Sequence, residues 1–219
     1  PFLLCVVAIL VVTCAHVNPP AAQPKDGQPG TDVELVFRAD GRNALADVVP
    51  EFWRPADAED VAFLRLKEPL PEGVRPLSLG LSQGTGDHPF RTFGFPSASP
   101  EEGIWGEGRI LAETLMQGMR VLQLKCSEIT PGFSGAPVFD TKAGRVVGMV
   151  TAIASQDQHG RLAETAFIIP SETLRQICPL LVFSEVQPYL GLAAFTESDA
   201  GFFFGRRREV ERLLDGLKR

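Results

Sequence analysis

A serine hydroxyl is a poor nucleophile. It becomes a good one when a tight turn presents it, a neighbouring base takes its proton and an anion site awaits the developing charge. The string Thr130-Pro131-Gly132-Phe133-Ser134-Gly135-Ala136-Pro137-Val138 has the composition for such a turn. Gly132 and Gly135 let the backbone curl around Ser134, so that the amides of Gly132 and Ser134 can converge where an oxyanion would form. Losing one such donor typically costs about 3 kcal/mol of transition-state stabilisation. Taken alone, the same string also fits a glycine-rich turn between two strands, with Ser134 incidental.

His16 directly follows the run Val11-Val12-Thr13-Cys14-Ala15. A histidine at the end of a buried strand is rigidly held and suits a general base near neutral pH, although a purely structural histidine fits the same position. His88 (in GDHPF) and His159 (in QDQHG) lie in polar segments and are expected at the surface. Asp60 opens the run Asp-Val-Ala-Phe-Leu-Arg-Leu over residues 60–66. A carboxylate at the mouth of a buried strand is costly unless paired, and an imidazole N–H is a suitable partner. An exposed turn-capping aspartate, like Asp57, is the other reading of Asp60. The three residues follow in the order His, Asp, Ser, 44 and 74 residues apart.

The elements that must position these groups read as short strands. Residues 33–37, 60–66, 91–95, 108–113, 120–125, 136–139, 146–154 and 166–169 are apolar or alternating runs rich in strand formers. With 18 prolines and 21 glycines punctuating them, they suggest an antiparallel barrel or sandwich. Residues 142–145 (KAGR) read as a hairpin turn, and residues 19–31 as a Pro/Gly-rich surface loop. After Pro170 the character changes. Ser171 reads as the N-cap of a helix with Leu174 and Ile177 on its apolar side. From about Val182 the chain becomes an extended link, and residues 209–219 (EVERLLDGLKR) form an amphipathic helical pattern.

Composition bounds the class. Apolar content of 44% and charged content of 22% are ordinary for a globular domain, and the length suffices for a sizeable core. A net charge of −6 argues against general nucleic-acid binding. Cys5, Cys14, Cys126 and Cys178 form no CxxC pair, so no metal site is expected, and reduced thiols in a cytoplasmic setting are the expectation. The apolar run 1–14 lacks a preceding basic residue and a following small-residue cleavage site. It is also shorter than the roughly 20 residues of a membrane span, so it reads as a buried strand pair or one long strand with no membrane role. The chain opens with Pro rather than Met, as a fragment or processed product would.

Taken together, TCAHV (13–17), DVAFLRL (60–66) and PGFSGAPV (131–138) resemble the three motifs of the chymotrypsin/trypsin superfamily, in the same order. RTFGFP (91–96) and AFIIP (166–170) fall where bacterial members carry similar strings, and the resemblance covers roughly residues 2–180. It implies an all-β fold, a chymotrypsin-like double antiparallel β-barrel with a short C-terminal helical extension. It further implies a serine endopeptidase acting on protein or peptide substrates with no cofactor. Ser134 would be the nucleophile, His16 the base and Asp60 its orienting partner, with Gly132 and Ser134 as oxyanion donors. Glu128, six residues before Ser134, would form the base of the primary pocket and favour Arg or Lys before the cut. Pairing with Lys125 or simple solvation is the alternative for Glu128. Thr151, Ala152 and Ala166 would line the pocket walls. Phe133 stands where zymogen-activated trypsins carry an aspartate, which implies no activation by N-terminal clipping. The run from Cys5 to Leu10 lacks the Gly or Asp that usually turns the chain before the histidine strand, so an incomplete or irregular first barrel is expected.

The tail PYLGLAAF (188–195) and DAGFFFGRRRE (199–209) resembles the segment that leads into the P-loop domain of bacterial STAND-type NTPases. A terminal helix packed on the barrel is the other reading. No GxxxxGK[ST] phosphate loop occurs in the sequence. The expected organisation is therefore a peptidase domain at 1–181, followed at 182–219 by a link and the first helix of an NTPase region in a longer chain. Two alternatives remain open from sequence: a catalytically silent barrel serving as a binding or regulatory module, and a truncated product that does not fold.

Overall fold

A computed structural model describes residues 4–7, 9–18, 30, 32–37, 41–154, 162 and 164–183. By its contacts the chain divides into units at 1–184 and 185–219. The extended link and the amphipathic pattern expected over 182–219 lie almost wholly outside the described residues, as do His159 and most of the 19–31 loop.

Eleven strands and one short helix make up the described part. The apolar N-terminal run folds as a strand pair, β1 (Leu4–Val7) and β2 (Leu10–Thr13), antiparallel with Cys5 opposite Val11. β3 (Val33–Phe37), β4 (Arg42–Val48) and β5 (Ala62–Leu66) complete an antiparallel sheet of order β1-β2-β5-β4-β3. The remaining strands are β6 (Pro89–Gly94), β7 (Ile104–Met116), β8 (Met119–Lys125), β9 (Pro137–Asp140), β10 (Arg145–Ile153) and β11 (Thr165–Pro170). They close a six-stranded barrel in the order β10-β11-β8-β7-β6-β9. Helix α1 (Ser171–Ile177) follows β11 directly.

The first half is thus a curled five-stranded sheet and the second a closed barrel. Both are antiparallel, as the double-barrel expectation requires. β4 is the strand that propensity hides. Its sequence RNALADV offers Asn, Asp and two alanines, all weak strand formers. Tertiary pairing overrides them: Ala46 lies between Val33 of β3 and Leu66 of β5, and Ala46 and Val48 are buried.

Three apolar clusters account for the strand patterns. Val11, Leu35, Ala46, Val48, Leu64 and Leu66 fill the curl of the first sheet. Ile110, Leu124, Phe133, Val138, Val147, Val150 and Ile168 fill the barrel. A third cluster, with Val12, Phe63, Leu79, Met149, Ile169 and Leu174, joins sheet, barrel and α1 at the seam. Alternate side chains of a strand point to opposite faces. β2 therefore gives Val11 to its own sheet and Val12 to the seam, and all four of its residues are buried. β10 divides its residues likewise, Val147 and Val150 inward and Val146 and Met149 to the seam. A strand buried on both faces reads as a continuous apolar run, and the two that do so here carry or adjoin the site.

Two local expectations change. Ser171 is the first helical residue rather than the N-cap, which is Pro170. Its hydroxyl donates instead to the carbonyl of Gly80 at 2.5 Å. The Glu172 carboxylate takes the amides of Ser82 (2.8 Å) and Gln83 (3.2 Å), which fastens α1 to the segment before β6. Leu174 and Ile177 are buried as the helical pattern requires. Among the described residues no helix is long and apolar enough to cross a membrane.

Candidate active site

β2 ends at Thr13, and the chain then makes a single 3-10 turn, Ala15–Val17, that lifts His16 out of the strand. Asn18 closes this turn, its amide donating to the Ala15 carbonyl (3.2 Å) and its side chain to the Cys14 carbonyl (3.0 Å). Asp60 precedes β5, the strand paired with β2, so β-pairing alone brings the two residues side by side. Its φ is +56°, in the left-handed region that aspartate tolerates better than most residues. The Ala15 amide donates to the Asp60 carbonyl at 3.2 Å, and the His16 amide donates to Asp60 Oδ1 at 3.0 Å.

The side chains complete a chain of hydrogen bonds. His16 Nδ1 lies 2.7 Å from Asp60 Oδ2, and His16 Nε2 lies 3.2 Å from Ser134 Oγ. A carboxylate only accepts, so Nδ1 carries the proton and Nε2 presents its lone pair to the serine hydroxyl. Asp60 is buried, whereas the His16 side chain is 42% exposed. The hydrogen bond with Asp60 raises the His16 pKa above its ordinary value. Burial opposes this and the Asp60 charge adds to it.

Thr151 supplies a third donor. A register shift between Val150 and Ala152 in the β10–β11 ladder marks a bulge, and such bulges re-aim side chains beside active sites. Here Thr151, buried at the seam, donates its hydroxyl to Asp60 Oδ2 at 3.1 Å. The adjacent Val150 carbonyl accepts the Gly135 amide (2.8 Å) and the Cys14 thiol (3.2 Å). One peptide of β10 therefore holds the serine turn, the histidine strand and the aspartate in fixed register.

Ser134 is half-buried on a turn between β8 and β9, in which Gly132 has φ +108° and Gly135 φ +87°. The amides of Gly132 and Ser134 donate to no acceptor among the described residues, whereas the neighbouring amides of Phe133, Gly135 and Ala136 are all satisfied. Two donors, one residue apart and without an acceptor among the described residues, can receive an anion beside a serine hydroxyl.

The four pocket candidates have separate surroundings. Thr151 is bound to Asp60, Ala152 is half-buried, and Ala166 is buried in the barrel core. Glu128 is exposed; its carboxylate accepts the Cys126 thiol at 3.1 Å and the Ser127 hydroxyl at 2.7 Å. Those bonds, that from Cys126 first, hold it below the usual glutamate range. The neighbouring cation Lys125 pairs with Glu164 at 3.9 Å instead. His88, expected at the surface, is largely covered and paired with the buried Asp140.

Cys14 Sγ, a His16 ring nitrogen and an Asp60 oxygen lie within 4.8 Å of one another, a donor set that could hold a metal. The groups already satisfy each other, however. The thiol donates to Val150, its pKa is raised well above the ordinary value by burial, and the imidazole and carboxylate are bonded together. Cys126 is likewise pushed up to about 11 by burial and by Glu128. Burial thus disfavours the thiolate at both cysteines, and the Ser134 hydroxyl is the group that meets His16 Nε2.

Sequence reasoning named His16, Asp60 and Ser134 but missed the hydrogen bond from Thr151 and the shared Val150 carbonyl. Both depend on a bulge, which no residue pattern announces. A cleft of about 210 Å³ lies behind Thr151, lined by Glu59, Met119 and Ile169 among others, and does not include His16 or Ser134.

No curated protein sequence matches the chain. Among solved structures it is similar to the HtrA-type protease AlgW with a decapeptide, at 22% identity over 79% of this chain and 49% of that one, TM-score 0.58. It is also similar to the Rv3671c protease of M. tuberculosis in its active form, at 20% identity over 80% and 70%, TM-score 0.59. The inactive form of Rv3671c aligns at 20% identity over 80% of each chain with the same score. The protein spans about half the length of AlgW, and at these identities the likeness concerns the fold. Residues 188–219 match the family model described as Novel STAND NTPase 1. Residues 4–149, more than half of the chain, match the model described as Trypsin-like peptidase domain, and the protein belongs to that family.

Proposed function

We propose that the protein is a serine endopeptidase that cleaves peptide bonds through an acyl-enzyme. The observation that carries this reading is the continuous hydrogen-bond chain from Asp60 through His16 to Ser134 Oγ, beside two amides with no acceptor among the described residues. Ser134 Oγ attacks the scissile carbonyl carbon while His16 Nε2 takes its proton. The carbonyl π pair moves to oxygen, which the Gly132 and Ser134 amides receive. Collapse breaks the C–N bond, and His16 returns the proton to the leaving amine. Water then attacks the ester, His16 takes its proton, and the acid product leaves with the Ser134 hydroxyl restored. Asp60 keeps the proton on Nδ1 and stabilises the imidazolium that forms twice in the cycle.

The site is open rather than enclosed, with His16 exposed and Gly132 on the surface. That suits an extended polypeptide better than an engulfed small molecule. Glu128, kept anionic by its two hydrogen bonds, is the group that would favour Arg or Lys at the cleavage site, with Thr151, Ala152 and Ala166 as walls. The peptidase region is taken to end near residue 181. The segment 182–219 is taken to begin an NTPase region of a longer cytoplasmic protein of bacterial type, in which nucleotide state regulates cleavage.

A fluorophosphonate probe tests the reading directly. The purified chain is expected to label at Ser134, and Ser134→Ala and His16→Ala to lose the label. A folded chain that does not label at Ser134 would instead be a catalytically silent binding module.

A further inference from the structure

The turn that presents Ser134 is fastened at the residue just before it. Phe133 is wholly buried, and its ring covers Gly94 at the end of β6 so closely that a methyl group on Gly94 would collide with three ring carbons. The segment after Gly94 grips the same turn twice more. The Phe95 amide donates to the Gly132 carbonyl at 3.2 Å, and a Cβ on Gly132 would lie 2.5 Å from the Phe95 carbonyl oxygen and 2.7 Å from Pro96 Cα. At φ +108° Gly132 holds a conformation that other residues rarely adopt. Gly132 and the Phe133 ring are thus held from the β6 side and the Phe133 carbonyl from Ala136, while the Gly132 and Ser134 amides meet no acceptor among the described residues.

Resting on the serine-peptidase reading, we infer that Phe133 and the Gly94-Phe95-Pro96 segment form an apolar clamp that holds the oxyanion amides in position. Phe133 and Gly94 are then positioning residues for the reaction, although neither touches the reacting atoms. Close packing transmits small displacements instead of absorbing them, so a shift of the ring moves the Ser134 amide directly and the Gly132 amide through the Gly132 contacts with Phe95 and Pro96. The clamp contains no ionised group. It needs no free chain terminus and no particular pH to hold, in contrast to a latch made by a carboxylate and an ammonium group.

The test measures the rate of fluorophosphonate labelling at Ser134 in the full chain, because the phosphoryl oxygen of the probe must enter the oxyanion site. Gly94→Ala pushes the ring away and is expected to slow labelling by roughly 10- to 100-fold, a loss on the scale of one misplaced oxyanion donor. The acid limb of its pH–rate profile, which reports His16, should not move. Phe133→Leu alone is expected to slow labelling several-fold. The double variant Gly94→Ala/Phe133→Leu, in which a smaller side chain accommodates the new methyl group, is expected to label faster than Gly94→Ala. Such non-additivity is the signature of direct contact. Labelling at the unmodified rate by folded Gly94→Ala or folded Phe133→Leu overturns the clamp and leaves the peptidase reading intact. A double variant no faster than Gly94→Ala overturns it equally. If the unmodified folded chain does not label at Ser134, the peptidase reading itself fails, and the clamp with it.

Discussion

The described residues include two histidine–aspartate pairs with nearly identical contacts and different surroundings. In each, the histidine Nδ1 lies 2.7 Å from an aspartate Oδ2. His16 is 42% exposed and its far nitrogen meets Ser134 Oγ, while the Asp60 carboxylate also accepts the His16 amide and the Thr151 hydroxyl. His88 is only 18% exposed and Asp140 not at all. The second oxygen of Asp140 accepts the amides of Lys142 and Ala143, so this carboxylate organises the β9–β10 turn and His88 ties β6 to it. A histidine–aspartate pair is therefore no mark of catalysis. What separates the two is the far nitrogen: one faces a hydroxyl at an open surface, whereas for His88 Nε2 no such partner stands among the described residues.

The largest expected effect separates the pairs outright. His16→Ala should lower the labelling rate or kcat by roughly 10⁴- to 10⁶-fold, as loss of the base does in triad hydrolases generally, with a smaller change in thermal midpoint than His88→Ala because the His16 ring is the more exposed of the two. His88→Ala should do the reverse. Activity should stay near that of the unmodified chain, and the midpoint should fall because the buried Asp140 loses a partner. Parallel rate and melting measurements decide. A strong rate loss in His88→Ala without a stability loss would break the comparison.

The aspartates extend the contrast and add a pH axis. Asp60→Asn should reduce kcat by about 10⁴-fold by favouring the wrong tautomer of His16. Asp140→Ala should instead destabilise by roughly 2–4 kcal/mol, since two amides and a ring lose their acceptor. His16 must be neutral to act as base, and its pKa is raised, chiefly by the hydrogen bond with Asp60. The acid limb of the rate profile should therefore lie above pH 6.5, the ordinary value, and should move down in Asp60→Asn. The linked stability has the matching sign. A raised folded-state pKa stabilises fully below about pH 6.5, and the contribution disappears as pH rises through the folded value. Chemical denaturation at several pH values, with and without Asp60→Asn, reads that difference.

How far the sequence discloses this arrangement depends on what each residue answers to. Strands buried on both faces, such as β2 and β10, show as unbroken apolar runs, and the glycines around Ser134 mark a turn that only glycine tolerates. These carried the fold class and put three side chains on the list that geometry gathers at one place. β4 was illegible because Asn43, Ala44 and Asp47 are poor strand formers held by their neighbours, although Asp40-Gly41 ahead of it is a hairpin signal. Ser171 looked like a cap because its type is right for one, yet its hydroxyl is engaged by Gly80 across the fold. His88 was set aside as a loop residue because nothing near it in sequence reveals Asp140, 52 positions away. The bond from Thr151 to Asp60 left no mark in the sequence because the β10 bulge that turns the side chain is a property of strand pairing.

Thr151 supports the smallest of the expected effects, and it tests how the proposed catalytic pair differs from the His88–Asp140 pair in its surroundings. Both carboxylates accept three described side-chain or backbone donors, but Asp140 takes two from its own turn, whereas Asp60 takes Thr151 from the other half of the fold. Thr151→Val preserves shape and removes the hydroxyl. Asp60 keeps its bonds to His16, so the triad geometry survives with one anchor fewer, and the carboxylate can rotate about the remaining pair. A bond of this kind is worth about 1.5 kcal/mol to a charged acceptor, so kcat is expected to fall by roughly tenfold. The KM should change less than kcat, because the exchange preserves the shape of the side chain. Thr151→Ser, which restores the donor with less packing, should recover most of the rate but not the stability. Equal rates for the valine and serine variants would mean that the hydroxyl does not orient Asp60. The link between the barrel and the aspartate would then be packing alone.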